Sequence, residues 1–198
     1  MPMIDKSNEH VTGHVMIRDY QTGEILVDKM NAINYENFSI SLARTIANRP
    51  DSWIQEMCFG NGGATVSEIG TITYLPPNVT GQTAQLYNQT YYQVVDDQSP
   101  LDLDPTQNYI STSHVDGMTY TDVIVTCLLD LGQPSGQDAF DTATNITGRY
   151  VFNELGLKAY SPNGPNTGRL LTHVIFSPVQ KSLNRQIQIV YTIRIQTV

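Results

Sequence analysis

The chain has 198 residues and a formal net charge of −8 at pH 7, and only 15% of its residues are charged. The charged fraction of an average soluble domain is roughly 25%, so the polar surface must come mainly from Asn, Gln, Ser, Thr and Tyr. The length suits one domain spanning residues 1–198, and the acidic balance without any basic run excludes a surface built to bind nucleic-acid phosphates. No stretch approaches the roughly 18 apolar residues that cross a bilayer, so we expect neither nucleic-acid nor membrane partners.

The first predicted element is an N-terminal β-hairpin of residues 13–20 and 25–30. Apolar and β-branched residues fill both segments, and Val15 and Ile17 alternate with polar neighbours. Gly23 lies in the connecting turn, where it can supply the positive φ that such a connection needs.

Residues 35–48 change from an alternating to a helical period. The helix is predicted to begin after Asn34 as its N-cap and to end before Pro50. Its apolar residues form one narrow stripe, which predicts a helix laid across one side or one end of a sheet. The stripe consists of Phe38, Leu42 and Ile46.

Beyond the helix, residues 53–59 are predicted to form a short strand that ends in a glycine-rich turn. An extended loop or arm follows at about residues 60–83, with residues 64–81 crossing a surface. Six further strands are separated by Gly, Pro, Asn and Asp clusters. They are residues 84–95, 109–113, 119–130, 149–160, 170–176 and 186–196.

The last of these strands has the clearest alternation. Large apolar side chains fall on one face and polar side chains on the other, and only Val190 departs from the pattern. Many strands with polar connections and one short helix predict a mainly β fold, an antiparallel β-sandwich of jelly-roll-like or Ig-like type with long loops. The apolar face consists of Ile187, Ile189, Tyr191, Ile193 and Ile195.

The glycine-rich turn Gly60-Asn61-Gly62-Gly63 raises the possibility of a phosphate-binding loop. The Lys-Ser/Thr pair of such loops is missing and no helix follows, so a tight turn that uses the positive φ available to glycine is favoured.

The acidic segment of residues 96–104 could gather carboxylates around Ca²⁺. It lacks the spacing and the glycine of a calcium loop, which favours a solvated turn.

Four histidines, His10, His14, His114 and His173, show no zinc spacing, and each is interpreted as structural.

Glu154 lies in a largely apolar run and is either a carboxylic acid with a raised pKa or a paired structural carboxylate, the second being favoured. Cys58 and Cys127 are interpreted as buried free thiols, and the tyrosines, including Tyr87, Tyr91 and Tyr92, as contact residues for proteins or sugars. No catalytic, cofactor-binding or metal-binding residue is predicted, and the chain is expected not to be an enzyme.

Several segments together resemble strands of virion structural proteins of tailed phages. They are residues 17–27, 31–33, 59–63, 152–157, 170–176 and 189–195. The resemblance spans most of the chain, and its motifs mark packing. It implies a β-sandwich that joins other virion proteins as a symmetric homo-oligomer, without catalytic residues or cofactors.

Capsid decoration is the leading functional hypothesis, because a compact acidic domain with an arm suits a protein that spreads over neighbouring capsid subunits. A neck, collar, tail or baseplate component is the first alternative. A glycan- or receptor-binding module is the second, since the Tyr and Asn content permits it. The chain lacks a recognisable secretory signal, so it is expected in the virion after assembly in the host cytoplasm.

Overall fold

The computed structural model describes residues 9–136 and 150–197. Within these residues the chain forms one helix and eleven strands, which confirms the predicted mainly β fold. The elements are β1 (Glu9–Asp19), β2 (Ile25–Ile33), α1 (Tyr35–Ile46), β3 (Ile54–Gly60), β4 (Ala64–Val66), β5 (Ile72–Tyr74), β6 (Gln89–Val94), β7 (Tyr109–His114), β8 (Tyr120–Leu129), β9 (Val151–Ala159), β10 (Thr172–Gln180) and β11 (Ile187–Thr197).

Nine strands form one curled antiparallel sheet in the order β6-β3-β9-β10-β2-β1-β11-β8-β7. The pairing between β10 and β2 is limited to Thr172 with Ile33 and His173 with Ala32. On either side of this short pairing, the two parts of the sheet bury apolar side chains in a common core that includes Phe59, Phe152, Val125 and Ile189. The curled sheet is therefore consistent with the predicted sandwich.

Strand β11 has the predicted alternation. Ile187, Ile189, Tyr191 and Ile193 are buried, and the residues between them are partly exposed. Because the strand pairs with β1 on one side and β8 on the other, its register fixes which face of the central sheet is apolar.

The helix begins as predicted, because the Asn34 side chain accepts a hydrogen bond from the Asn37 amide at 3.0 Å. It ends at Ile46, two residues earlier than predicted. The predicted apolar stripe is wrong at Ile46, which is 79% exposed. The buried positions of the helix are instead Asn37 and Ser41. The Asn37 side-chain NH2 group donates to the Leu170 and Gly81 carbonyls, which holds this side of the helix against the rest of the protein.

Several predicted strands have different bounds. The strand predicted at residues 84–95 begins only at Gln89, and residues 84–88 cross the outer face of the sheet without joining it. Leu86 is buried there against Cys58 and Leu170 in a second, smaller core. A segment that covers a sheet can thus be as apolar as a strand within it.

The strand predicted at residues 170–176 runs from Thr172 to Gln180. The strand predicted at residues 149–160 is β9, Val151–Ala159, and residue 149 lies outside the described residues.

The predicted loop of residues 64–81 also needs correction. It contains a hairpin of β4 and β5, which pair only with each other. The turn between them is closed by hydrogen bonds from Ser67 N to Thr71 O and from Gly70 N to Ser67 O, both 2.9 Å. We refer to residues 64–74 as the arm hairpin.

Candidate functional site

Glu154 on β9 and His173 on β10 are brought together where the outer face of the sheet is covered. Both side chains are fully buried, and His173 Nε2 lies 3.0 Å from Glu154 Oε2. The Glu154 carboxylate also accepts the backbone N–H groups of Gly62 at 2.9 Å, Asn88 at 2.8 Å and Tyr87 at 2.8 Å. We call this cluster of one carboxylate, one imidazole and its backbone partners the Glu154 centre.

The proton on His173 can be assigned from its hydrogen bonds. Its Nδ1 accepts the backbone N–H of Asn78 at 2.9 Å, so this nitrogen carries a lone pair. In the neutral ring the proton is then on Nε2, which donates it to Glu154. Both ring nitrogens are therefore occupied by structural hydrogen bonds.

The charge of Glu154 is stabilised despite its burial. Burial alone would raise the pKa of this carboxyl, but hydrogen bonds from His173, Asn88, Tyr87 and Gly62 outweigh burial and hold the pKa below its usual value. Of the two interpretations made from the sequence, the structure favours the paired structural carboxylate. An ionised, buried and fully hydrogen-bonded carboxylate is poorly suited to act as a general acid.

The glycine-rich turn contributes its amides to the same cluster. Gly62 N–H donates to the Glu154 carboxylate and Gly63 N–H donates to Asn153 Oδ1 at 2.9 Å, so neither amide is available to an external phosphate. The predicted positive φ in this turn is wrong, because the glycines with positive φ, such as Gly23, all lie elsewhere in the described residues. Glycine is needed at position 62 because a Cβ would lie 2.6 Å from Asn88 N.

The arm hairpin is held at both ends by this arrangement. On the N-terminal side of the arm hairpin, the amides of Gly62 and Gly63 donate to side chains of β9. On its C-terminal side, Leu75 N donates to Gly63 O at 2.9 Å. A few residues further on, Asn78 is bound to His173. The Glu154 centre thus fixes both ends of a segment whose tip lies away from the core.

The arm hairpin itself is amphipathic, and its residues 65–74 are all exposed. In its register Ala64 lies opposite Tyr74 and Val66 opposite Ile72, so these four side chains share one face. Ile69 at the tip is 89% exposed. The other face carries Thr65 and Thr73. A two-stranded hairpin is at best marginally stable alone, and this one leaves an apolar face uncovered by the rest of the described residues.

The acidic segment forms turns through its own carboxylates. Asp96 accepts the Gln98 amide and the Trp53 indole N–H, both at 3.1 Å, and Asp102 accepts the Asp104 amide at 3.0 Å. Across residues 9–136 and 150–197, no three His, Cys, Asp or Glu side chains converge as metal ligands would. The structure therefore does not bring the segment together as a calcium loop.

The remaining histidines lie apart from the Glu154 centre. His14 Nε2 is 2.5 Å from Asp28 Oδ1, and His114 Nδ1 is 3.0 Å from the Tyr120 carbonyl oxygen. His10 is exposed on β1. Only His173 among the four is buried in a polar cluster.

The cysteines and tyrosines are distributed over several environments. Cys58 and Cys127 are buried free thiols, and burial raises the pKa of Cys58 to about 12. Tyr91 donates to Gln93 at 2.8 Å within β6, whereas Tyr87 and Tyr92 are partly exposed. The thiols are therefore poorly suited to nucleophilic chemistry. Of these three tyrosines, Tyr87 and Tyr92 offer surface for contacts.

Sequence reasoning missed a second buried polar cluster on the same outer face. Both Glu56 oxygens accept the Asn166 amide, at 2.8 and 2.9 Å, and Lys158 Nζ donates to Asn166 Oδ1 at 3.0 Å. The signal was a charged residue inside each of two strands that are otherwise mostly apolar. This cluster holds the loop of residues 160–170 as the Glu154 centre holds the arm hairpin.

Compared with protein-family models, with curated proteins and with solved structures, the chain matches none of them. In the described part of the chain, no helix is long and apolar enough to cross a membrane.

Proposed function

We propose that this chain is a non-catalytic structural component of a tailed-phage virion, and that the arm hairpin is its contact surface with a neighbouring virion protein. Capsid decoration is the preferred position, with neck, collar, tail or baseplate as the alternative. The resemblance of its strand segments supports the virion assignment. The observation that carries the contact surface is the exposed apolar face of the arm hairpin, held at both ends by the Glu154 centre.

The rigid attachment of the arm hairpin suits assembly. A contact segment that is already ordered loses less conformational entropy on binding than a free loop. Its exposed face offers Val66, Ile72 and Tyr74 in one plane, and Tyr74 Oη lies 3.1 Å from Ser177 Oγ. A neighbouring subunit that covers this face would also supply the apolar layer that the isolated hairpin lacks.

A non-catalytic role is supported by the burial of Glu154 and His173, the acid–base pair of the Glu154 centre. Glu154 and His173 have no exposed side-chain surface, so a substrate cannot reach them in this conformation. We expect no turnover on cell-wall or polysaccharide substrates. Turnover that is abolished in Glu154→Gln, with the variant still folded, would overturn this part of the proposal.

The virion assignment is tested by quantitative mass spectrometry of virions purified from the phage that encodes the chain. Capsid symmetry predicts on the order of hundreds of copies for a decoration protein, and about six or twelve for a neck or baseplate ring. Absence of the chain from purified virions would overturn the proposal.

The contact surface is tested by Ile69→Asp at the arm tip, which should reduce incorporation into virions because it places a charge in an apolar contact. Leu103→Asp is the matched control, since Leu103 is 84% exposed and lies in a different loop. We expect the Ile69 variant to lose at least about tenfold in copy number while the Leu103 variant is unchanged. Equal incorporation of the two variants would contradict the assignment of the arm hairpin.

A glycan- or receptor-binding module is the second candidate, supported by Tyr87 and Tyr92, which are partly exposed at and beside the edge strand β6. Exposed tyrosines offer flat surfaces and hydroxyl groups to sugars. A glycan array on which the chain binds, and on which Tyr92→Ala does not, would favour this candidate.

A further inference from the structure

A cavity of about 830 Å³ opens beneath helix α1 at one end of the curled sheet. This volume lies within the range of about 300–1,000 Å³ that is typical of small-molecule sites. The lining comes from the helix, from strands β3, β7, β8 and β11, from residues 96–100 and from neighbouring loop residues. Its apolar wall is formed by Phe38, Leu42, Ile110, Val123, Leu171 and Ile195.

The helix is held in place above the cavity at both of its ends. Asn37 in the first turn donates to the Leu170 and Gly81 carbonyls. Near the other end, Arg44 donates to the Pro50 carbonyl at 3.0 Å and lies 3.3 Å from the Asp51 carboxylate. The space below the helix is therefore part of a fixed structure.

One polar group in the cavity lacks a partner. Ser41 lines the cavity and is only 4% exposed, and its hydroxyl has no hydrogen-bond partner within the described residues. A buried hydroxyl without a partner costs free energy, which a ligand group that donates to it or accepts from it would recover. This hydroxyl is a second indication of a ligand, independent of the cavity's size.

The charged residues that line the cavity have one sign. Asp96 and Asp97 line the cavity, and none of the residues that line it is Lys or Arg. Asp96 is held by the Trp53 indole and the Gln98 amide, and Asp97 Oδ1 lies 3.4 Å from the amide nitrogen of Ile110. Such a lining favours a cation over an anion, because a bound carboxylate or phosphate would meet two carboxylates and no compensating charge.

We propose that this cavity binds a small amphipathic molecule with an apolar body and a cationic amine head. The apolar body fills the space between the helix and the sheet, and the amine lies near the two carboxylates. This site is separate from the arm hairpin, so the proposal does not depend on the virion assignment.

The chain contains its own reporter for the test. Trp53 is the single tryptophan, lines the cavity and is stacked on Tyr160 with ring centroids 4.5 Å apart. Monomeric decylamine, cationic at pH 7, should change its emission in a saturable way. Decanoate, which has a similar chain and the opposite charge, should bind at least about tenfold more weakly. Far-UV circular dichroism confirms that the fold is retained during both titrations.

Two lysine substitutions on the helix sharpen the test. Leu42→Lys places an ammonium group in the cavity wall and should reverse the preference, weakening decylamine and strengthening decanoate. Ile46→Lys, one turn further along and outside the lining, is the matched control and should leave both affinities unchanged. The urea midpoint of each variant establishes that it is folded.

A smaller change tests the carboxylates alone. Asp97→Asn should weaken decylamine about fivefold and leave uncharged 1-decanol unchanged. The proposal is overturned if decylamine gives no saturable change in the parent, if decanoate binds equally well, or if Ile46→Lys weakens binding as much as Leu42→Lys.

Discussion

At the scale of single residues, Glu154 determines how the covering segments attach to the sheet. It accepts hydrogen bonds from the imidazole of His173 and from three backbone amides that belong to two different segments. A buried carboxylate is tolerated only when such donors replace its water. Its replacement therefore has consequences in several places at once.

Glu154→Gln should lower the free energy of unfolding by about 2–4 kcal/mol, because the new amide nitrogen is a donor that faces other donors. A shift of the urea midpoint with an unchanged slope measures the loss. Glu24→Gln, at an exposed turn, is the control and should change stability by less than about 0.5 kcal/mol. Equal midpoints for the two variants would contradict the role assigned to Glu154.

The pH dependence of stability follows from the lowered pKa of Glu154. Its contribution is fully present above the unfolded value of about 4.3 and is lost as pH falls through the lower native value. His173 is the titratable group facing it. The difference in stability between the parent and Glu154→Gln should be constant from about pH 7 to 5 and should shrink below about pH 4. A difference that is undiminished at about pH 3 would be inconsistent with a lowered pKa.

Gly62→Ala tests the close approach at the base of the arm hairpin. The new Cβ would lie 2.6 Å from Asn88 N and 2.7 Å from Tyr87 Cβ, so a loss of about 1–3 kcal/mol is expected. Gly132→Ala is the matched control, since nothing lies within 4 Å of its Cβ. Thermal or urea unfolding of both variants gives the comparison, and a neutral Gly62→Ala would show that the turn can move.

At the scale of elements, the strands with an apolar and a polar face were the most predictable. β11 has its predicted face because the period of two is a direct consequence of strand geometry. The arm hairpin was missed because strands of three residues leave too little pattern, and residues 84–88 were assigned to a strand because covering segments are also apolar.

Ile193→Asp on β11 should destabilise the protein by at least about 4 kcal/mol, because it places a carboxylate in the main core. Thr192→Asp is the neighbouring control and should cost less than about 1 kcal/mol, since Thr192 is partly exposed on the other face. Similar melting temperatures for the two variants would show that the register is wrong.

At the scale of the whole molecule, the polar sites could not be derived from the sequence. Glu154 and His173 are 19 residues apart and meet only because β9 and β10 are neighbours in the sheet. The cavity under the helix likewise depends on how far the Asn37 hydrogen bonds hold the helix from the strands. Individual residues such as Glu154 could be selected, but their partners depend on the tertiary arrangement.

The molecule's interior polar groups hold covering segments in place, and an uncovered apolar face lies on the arm hairpin. These features fit a protein that works by contact with a neighbour, as a subunit of a larger assembly would.

The proposed virion role is tested most directly by a cryo-electron microscopy map of virions from the phage that we propose encodes the chain. We expect the chain in symmetric copies on the particle, with the apolar face of the arm hairpin buried against a neighbouring protein. A particle without the chain, or one in which residues 64–74 face solvent in every copy, would contradict the account.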